Sequence, residues 1–304
     1  QFIWGEVDRI SPEAPVPIVN FKTESFMAGG AANVARNLTS LQCSAQMHSV
    51  IGRDESGKKL RILLQDDQVD CKSLITSPAR QTSCKTRIIA QRQQIVRVDR
   101  EAGSDLELQL SKRLAKSIEK GLSKSKAIVI GDYGKGVITQ DFLNKLKQLK
   151  KQHSAWLSFD PKPVHSLDLS ELSLVTPNRK EAFELAGICD STKKTNPLKD
   201  KNLIRVAKKL IDKLGLKILL VTLGELGMLI CQPGKKAFHI PTLAREVFDV
   251  SGAGDTVIGT FTMAIAAGAD PIEAAILANH AAGVVVGKLG PATVTPKELL
   301  DSFN

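Results

Sequence analysis

Aromatic side chains are scarce in this sequence. They make up 4% of the 304 residues, and there is a single tyrosine, Tyr133. A single-stranded nucleic-acid surface built on base stacking needs more rings than that. Cysteine is sparse too. Cys43, Cys71, Cys84, Cys189 and Cys231 are odd in number and contain no C-x-x-C pair, which argues against a disulfide framework or a zinc site and for reduced thiols in a cytoplasmic protein. The histidines offer no H-E-x-x-H spacing of the kind a zinc metalloprotease uses. Long apolar runs are missing. The least polar stretch, roughly 257–269, carries Thr260 and Thr262 and is too short to cross a bilayer. No secretory leader is visible, although the chain begins at Gln1 and not at Met.

What is present is an ordinary globular composition: 42% hydrophobic and 24% charged residues, with 22 glycines. A chain of this length can bury one large core or two small ones. Its formal net charge is +10. The lysines cluster, for example Lys145, Lys147, Lys150 and Lys151. They read as solvated helix faces in preference to a nucleic-acid footprint, and such a balance suits an anionic small substrate. Neither a nucleic-acid nor a membrane partner is expected.

Short apolar runs at 45–51, 127–130, 155–159, 218–222 and 228–231 predict strands. Between them, amphipathic or apolar patterns predict helices at 31–41, 57–65, 106–122, 141–152, 179–186, 203–214, 254–267 and 272–288. Strands that alternate with helices imply βαβ units and a mainly parallel sheet. Residues 14–21 and the pair 83–90/95–99, joined across 91–94, read instead as partly exposed antiparallel strands. The expected architecture is one α/β domain over 1–304, with a mainly parallel central sheet flanked by helices and a small antiparallel flap.

Two glycine clusters carry the chemistry, and a third imitates it. Residues 52–59 nearly spell a phosphate loop, but Lys59 stands where that loop needs a hydroxyl, so Gly52 and Gly57 read as turn and helix-start residues. Gly252-Ala253-Gly254-Asp255 opens an apolar helix, and small residues there let an anion approach unpaired backbone N–H groups. Asp255 in that turn suits a cap or a dipole partner. It equally suits phosphoryl transfer to an alcohol, where N–H groups take the phosphoryl charge and a carboxylate takes the hydroxyl proton. Spacing leaves both readings open. Gly29-Gly30-Ala31-Ala32-Asn33 opens the first clear helix. It reads either as tight packing or as close approach to a polar ligand, with the Asn33 amide facing a sugar hydroxyl.

In this order and at this separation, the two clusters resemble the signatures of the ribokinase-like carbohydrate kinases. Residues 29–35 are similar to the amino-terminal signature and residues 249–256 to the more specific carboxy-terminal one. Residues 9–17 and 281–290 resemble the flap and closing helix of the heptose-7-phosphate kinases, so the likeness covers essentially the whole chain. One departure concerns the family's opening strand, which ends in a Gly-Asp pair at the sugar site. It has no counterpart before Phe2, and without upstream residues the sheet and pocket would be incomplete. The nucleotidyltransferase half of the bifunctional members is likewise not in this sequence.

The resemblance implies an ATP- and Mg²⁺-dependent kinase that phosphorylates the anomeric hydroxyl of a heptose 7-phosphate for lipopolysaccharide synthesis. It leaves a monovalent-cation requirement open. Asp255 would be the base, and Gly252, Ala253 and Gly254 the anion hole. Asn178 and Glu181 would orient Mg²⁺ through water, with no direct protein ligand, although a capping box explains that pair equally well. Thr222, Gly224 and Gly227 resemble the nucleotide loop, or an ordinary hairpin turn, and Asn279 would lie near the adenosine. Gly29, Gly30 and Asn33 would face the sugar. Lys85, Arg87, Arg97, Lys135 and Lys162 are candidates for its phosphate, each with a solvated-surface alternative. The rival readings are a kinase for another sugar or sugar phosphate and a non-catalytic sugar- or nucleotide-binding protein. Val16, Ile18 and Phe21 on an exposed flap edge predict a homodimer.

Overall fold

The computed structural model describes residues 1–91, 93–162, 166–243 and 247–304. In chain order these form β1 (Phe2–Ile10), β2 (Pro17–Ser25), α1 (Ala31–Ser40), β3 (Ser49–Gly52), α2 (Glu55–Asp66), β4 (Leu74–Ser77), β5 (Cys84–Ala90) and β6 (Gln93–Arg100). Next come α3 (Leu108–Gly121), β7 (Ala127–Gly131), α4 (Gln140–His153), β8 (Trp156–Asp160), β9 (Leu174–Val175), α5 (Arg179–Ala186) and α6 (Lys201–Leu214). The chain closes with β10 (Ile218–Thr222), β11 (Met228–Cys231), β12 (Phe238–Ile240), α7 (Ala253–Ala267), α8 (Pro271–Val286) and α9 (Pro296–Asp301).

The central sheet has the order β12-β11-β10-β9-β8-β7. Its β7–β8, β8–β9 and β9–β10 pairs are parallel, and β11 and β12 add antiparallel strands. Helices cover both faces, as a parallel sheet requires. The two-residue period of β10 shows why: Leu219 and Val221 join the core made with α3 to α6, while Ile218 and Leu220 join the core made with α7 and α8. Side-chain caps start several of the helices, though not α1, α3 or α7. Asp54 accepts from the Gly57 N–H ahead of α2, and Thr139 accepts from the Phe142 N–H ahead of α4. Gly57 thus lies in the first turn of α2, as expected, whereas Gly52 is the last residue of β3, paired with Ser77, and not a turn residue.

The flap is a four-stranded sheet of order β2-β1-β5-β6. It departs from expectation in three respects. β1 was not anticipated, because Gly5, Glu6, Asp8 and Arg9 interrupt its apolar pattern and its partner β5 is remote in sequence. The β1–β5 pair is parallel, so the flap is mixed and not purely antiparallel. β2 starts later than expected and runs on to Ser25, beyond the proline-rich stretch 12–17. The link across 91–94 includes position 92, which lies outside the described residues. The short strands β4, β9 and β12 and the helix α9 were also not foreseen.

β3 and β4 form a separate parallel pair. β3 and the edge strand β7 both line one cavity of about 1810 Å³, which extends to the first turn of α7. All five cysteines are free thiols. Among the described residues, no helix is long and apolar enough to cross a membrane.

Candidate active site

The site lies where parallel strands end, the usual ligand position in open α/β sheets. α7 begins at Gly252, whose φ of 83° is a left-handed conformation that glycine adopts cheaply. No side chain caps this end. The Ala253 N–H donates to Val250 O at 3.3 Å, and the other first-turn N–H groups face the approach to the helix, with the positive end of the dipole behind them. Asp249 fixes the preceding turn: its carboxylate accepts from Ser251 N–H at 2.8 Å and Gly290 N–H at 3.0 Å. Against the opposing pull of burial, these bonds and the nearby Arg87 guanidinium hold Asp249 below the usual carboxylate range.

Asp255, in the first turn, is buried and does not act as the cap. Its carboxylate is held from two other elements. Asn33 of α1, fully buried, donates its amide to Oδ2 at 3.0 Å. The Tyr133 hydroxyl, in the loop after β7, donates to Oδ1 at 2.5 Å. Burial raises the pKa of Asp255, and these two bonds pull it back down. Asp160 closes β8 beside it and accepts from Thr176 Oγ1 at 3.1 Å. Burial, then the facing charges of Asp255 and Glu181, push Asp160 up to about 8. A buried carboxylate base beside an uncapped helix start can accept a proton from an alcohol while N–H groups stabilise an arriving anion.

The sequence of the pfkB family carbohydrate kinases matches residues 3–298. The chain belongs to the pfkB family of carbohydrate kinases. It is 39% identical over 303 residues to the bifunctional protein HldE of Geobacter sulfurreducens, and 40% identical over 301 residues to that of Aliarcobacter butzleri. These alignments take in 100% and 99% of this chain but 60% and 61% of the relatives, so the chain spans about three fifths of their length. Among solved structures, the ribokinase of Arabidopsis thaliana complexed with ribose and ATP superposes with a TM-score of 0.79 at 20% identity, covering 100% of this chain and 95% of that one. Phosphofructokinase-2 of Escherichia coli in complex with potassium gives 0.79 at 19% identity, covering 99% and 94%. The fold is therefore ribokinase-like, and the pfkB chain is a phosphotransferase acting on a sugar hydroxyl. Membership implies ATP and a metal ion.

Several predicted positions of this pfkB kinase meet in one cavity: Gly29, Gly30, Lys85, Arg87, Lys135 and Lys162 line it together with Gly252, Gly254 and Asp255. Gly30 lines the cavity and also packs against Tyr133. At φ 59°, a Cβ there would meet the Tyr133 ring at 3.0 Å, so the glycine makes room for that ring. Lys85 and Lys135 both pair with Glu101, Lys85 at 3.3 Å. Lys135 first, helped by Lys85, holds the Glu101 carboxyl below its ordinary range. Arg97 does not line the cavity; it forks onto Asp99 at 2.8 and 2.9 Å on exposed β6. Lys162 lies 3.5 Å from Glu181.

The nucleotide candidates form a neighbouring group. Asn178 and Glu181 make a complete capping box on α5, with bonds of 3.0 and 2.9 Å. Asn178 bridges to Thr222, whose N–H donates to Pro177 O at 3.0 Å. Gly224 and Gly227 turn the chain between β10 and β11 with φ of 60° and 80°. Asn279 is buried and does not face water; its amide donates to Pro241 O at 2.8 Å. Tyr133, Asp160 and Glu101 were missed as site residues. Tyr133 and Asp160 each stand two residues before a phosphate candidate, Lys135 and Lys162, and the available signal was an acid and the single phenol at those places. Among the described residues, no three His, Cys, Asp or Glu side chains converge as a metal cage. The raised Asp160 between two other carboxylates nevertheless fits a nearby cation held through water and phosphate oxygens.

Proposed function

We propose that the chain is the ATP-dependent kinase that converts D-glycero-D-manno-heptose 7-phosphate to the 1,7-bisphosphate, toward ADP-heptose and the lipopolysaccharide core. The observation that carries this reading is Asp255, a buried carboxylate that is not the helix cap and sits within one turn of an uncapped, small-residue helix start. The likeness to HldE along essentially the whole chain supports the heptose as acceptor.

In this reading, Asp255 accepts the proton of the anomeric hydroxyl as the γ-phosphoryl group arrives, and the N–H groups of Gly252, Ala253 and Gly254 take up its charge. Asn33 orients the base. Gly29 allows close approach of the sugar, since nothing lies within 4 Å of a Cβ built there. Lys85, Arg87 and Lys135 meet the acceptor's own phosphate. Thr222, Gly224, Gly227 and Asn279 receive the nucleotide. Mg²⁺, held through water near Glu181, Asn178 and Asp160, would neutralise the ATP phosphates. The two-fold partner is a second copy of the chain, joined through the flap, and the cytoplasm supplies ATP.

The test is ADP release measured across a panel of heptose 7-phosphate, unphosphorylated heptose, fructose 6-phosphate and ribose. Heptose 7-phosphate is expected to give the highest kcat/KM. An equal or higher value for another sugar would replace the acceptor assigned here.

A further inference from the structure

Tyr133 is the chain's only tyrosine, and its hydroxyl is 2.5 Å from Asp255 Oδ1. Two glycines make this placement fit: a Cβ on Gly30 or on Gly131 would meet the phenol ring at 3.0 Å. The backbone on both sides is tied down. Asp132 Oδ1 accepts from Gly134 N–H at 2.9 Å, and Arg80 donates to the carbonyls of Lys135 and of Ser104. The residue as a whole is 38% exposed and lines the cavity wall. Its neighbours are thus fixed, and the phenol reaches Asp255 from the cavity wall.

The phenol is a proton donor here. Burial, then the Asp255 charge, holds its pKa well above the ordinary tyrosine value. A hydroxyl that donates to the buried carboxylate is what a kinase's acceptor must present at the same place. Asn33 occupies the other oxygen.

We propose that Tyr133 is a displaceable stand-in for the acceptor hydroxyl: it covers Asp255 until a sugar hydroxyl takes its place, and so keeps water from serving as the acceptor. This rests on the reading of Asp255 as the base. A hydrogen-bond donor on the base lowers its basicity, so displacement by the acceptor also restores the base's strength when it is needed. Excluding water from a site that activates ATP suppresses wasteful hydrolysis.

Two experiments test it. In Tyr133→Phe, water can reach Oδ1. Acceptor-free ADP formation should rise about tenfold relative to the parent protein, while KM for heptose 7-phosphate falls because nothing has to be displaced. A folded Tyr133→Phe with unchanged acceptor-free hydrolysis overturns the proposal, and this arm needs no assumption about the sugar. In the second experiment the protein carries 3-fluorotyrosine, and the ¹⁹F resonance absent from Tyr133→Phe is assigned to Tyr133. Heptose 7-phosphate should shift that resonance, whereas a non-hydrolysable ATP analogue alone should not. A resonance unmoved by a sugar that the enzyme does phosphorylate also overturns it. Failure of the parent protein to phosphorylate any sugar phosphate would instead sink the functional reading, with the hydrolysis result left to judge Tyr133.

Discussion

Asp255→Asn separates chemistry from architecture at this site. The carboxylate does not cap α7, so the variant forfeits no capping bond. The Asn oxygen can still accept from Tyr133, while its amide would face the Asn33 amide that now donates to Oδ2 at 3.0 Å. A flip of the Asn33 amide restores that pairing. The substitution also removes a buried charge whose burial is unfavourable. Together these terms predict a stability change of about 1 kcal/mol or less in either direction. Loss of a general base, by contrast, costs about 10²–10⁴ in rate, or roughly 3–5 kcal/mol of barrier. The assay is kcat from coupled ADP release with heptose 7-phosphate, alongside Tm by scanning calorimetry. A variant with parental Tm and near-parental kcat would refute the assignment of Asp255 as the base.

Other outcomes follow from the same geometry. Gly252→Ala imposes a φ of 83° on a residue with a Cβ and brings that atom within 2.5 Å of the Asn33 amide; unfolding should show a loss of about 1–3 kcal/mol, and a parental midpoint in urea would contradict this. Asp160 carries a pKa of about 8 against an ordinary value of 3.8, so its protonated form contributes stability that is complete below pH 4 and is lost as pH rises toward 8. In metal-free buffer, the Tm advantage of Asp160→Asn over the parent should therefore grow from pH 5 to pH 8, and a constant difference would reject the shift. Arg87→Ala should raise KM for the sugar phosphate more than for ATP, by about 1.5–3 kcal/mol in binding; equal effects on both substrates would remove Arg87 from the acceptor side. Phe21, 62% exposed on β2, should lie at the dimer contact, so sedimentation should report a dimer for the parent and a monomer for Phe21→Glu; a monomeric parent at micromolar concentration would dismiss the flap interface.

Much of this molecule is written in local patterns. α5, β10 and β11 occupy the spans that their periodicity predicts, because a helix face or a buried strand imposes its period on neighbouring residues. The turn before α7 is equally readable, since a left-handed helix start demands glycine at a fixed place. The functions of the two acids diverge only after folding. Asp255 could have been a cap; it is the packing of α1 and of the loop after β7 that turns Asn33 and Tyr133 onto its carboxylate. Asp160 carries no signal in the sequence; burial, then the facing charges of Asp255 and Glu181, raise its pKa only in the folded chain. The packing of Gly30 is likewise set in the folded chain, by a ring about one hundred residues away. Periodicity and turn chemistry act between residues a few positions apart. Burial, charge coupling and the parallel β1–β5 pairing act between segments that meet only in the folded chain, and no short stretch of sequence encodes who the distant neighbour will be.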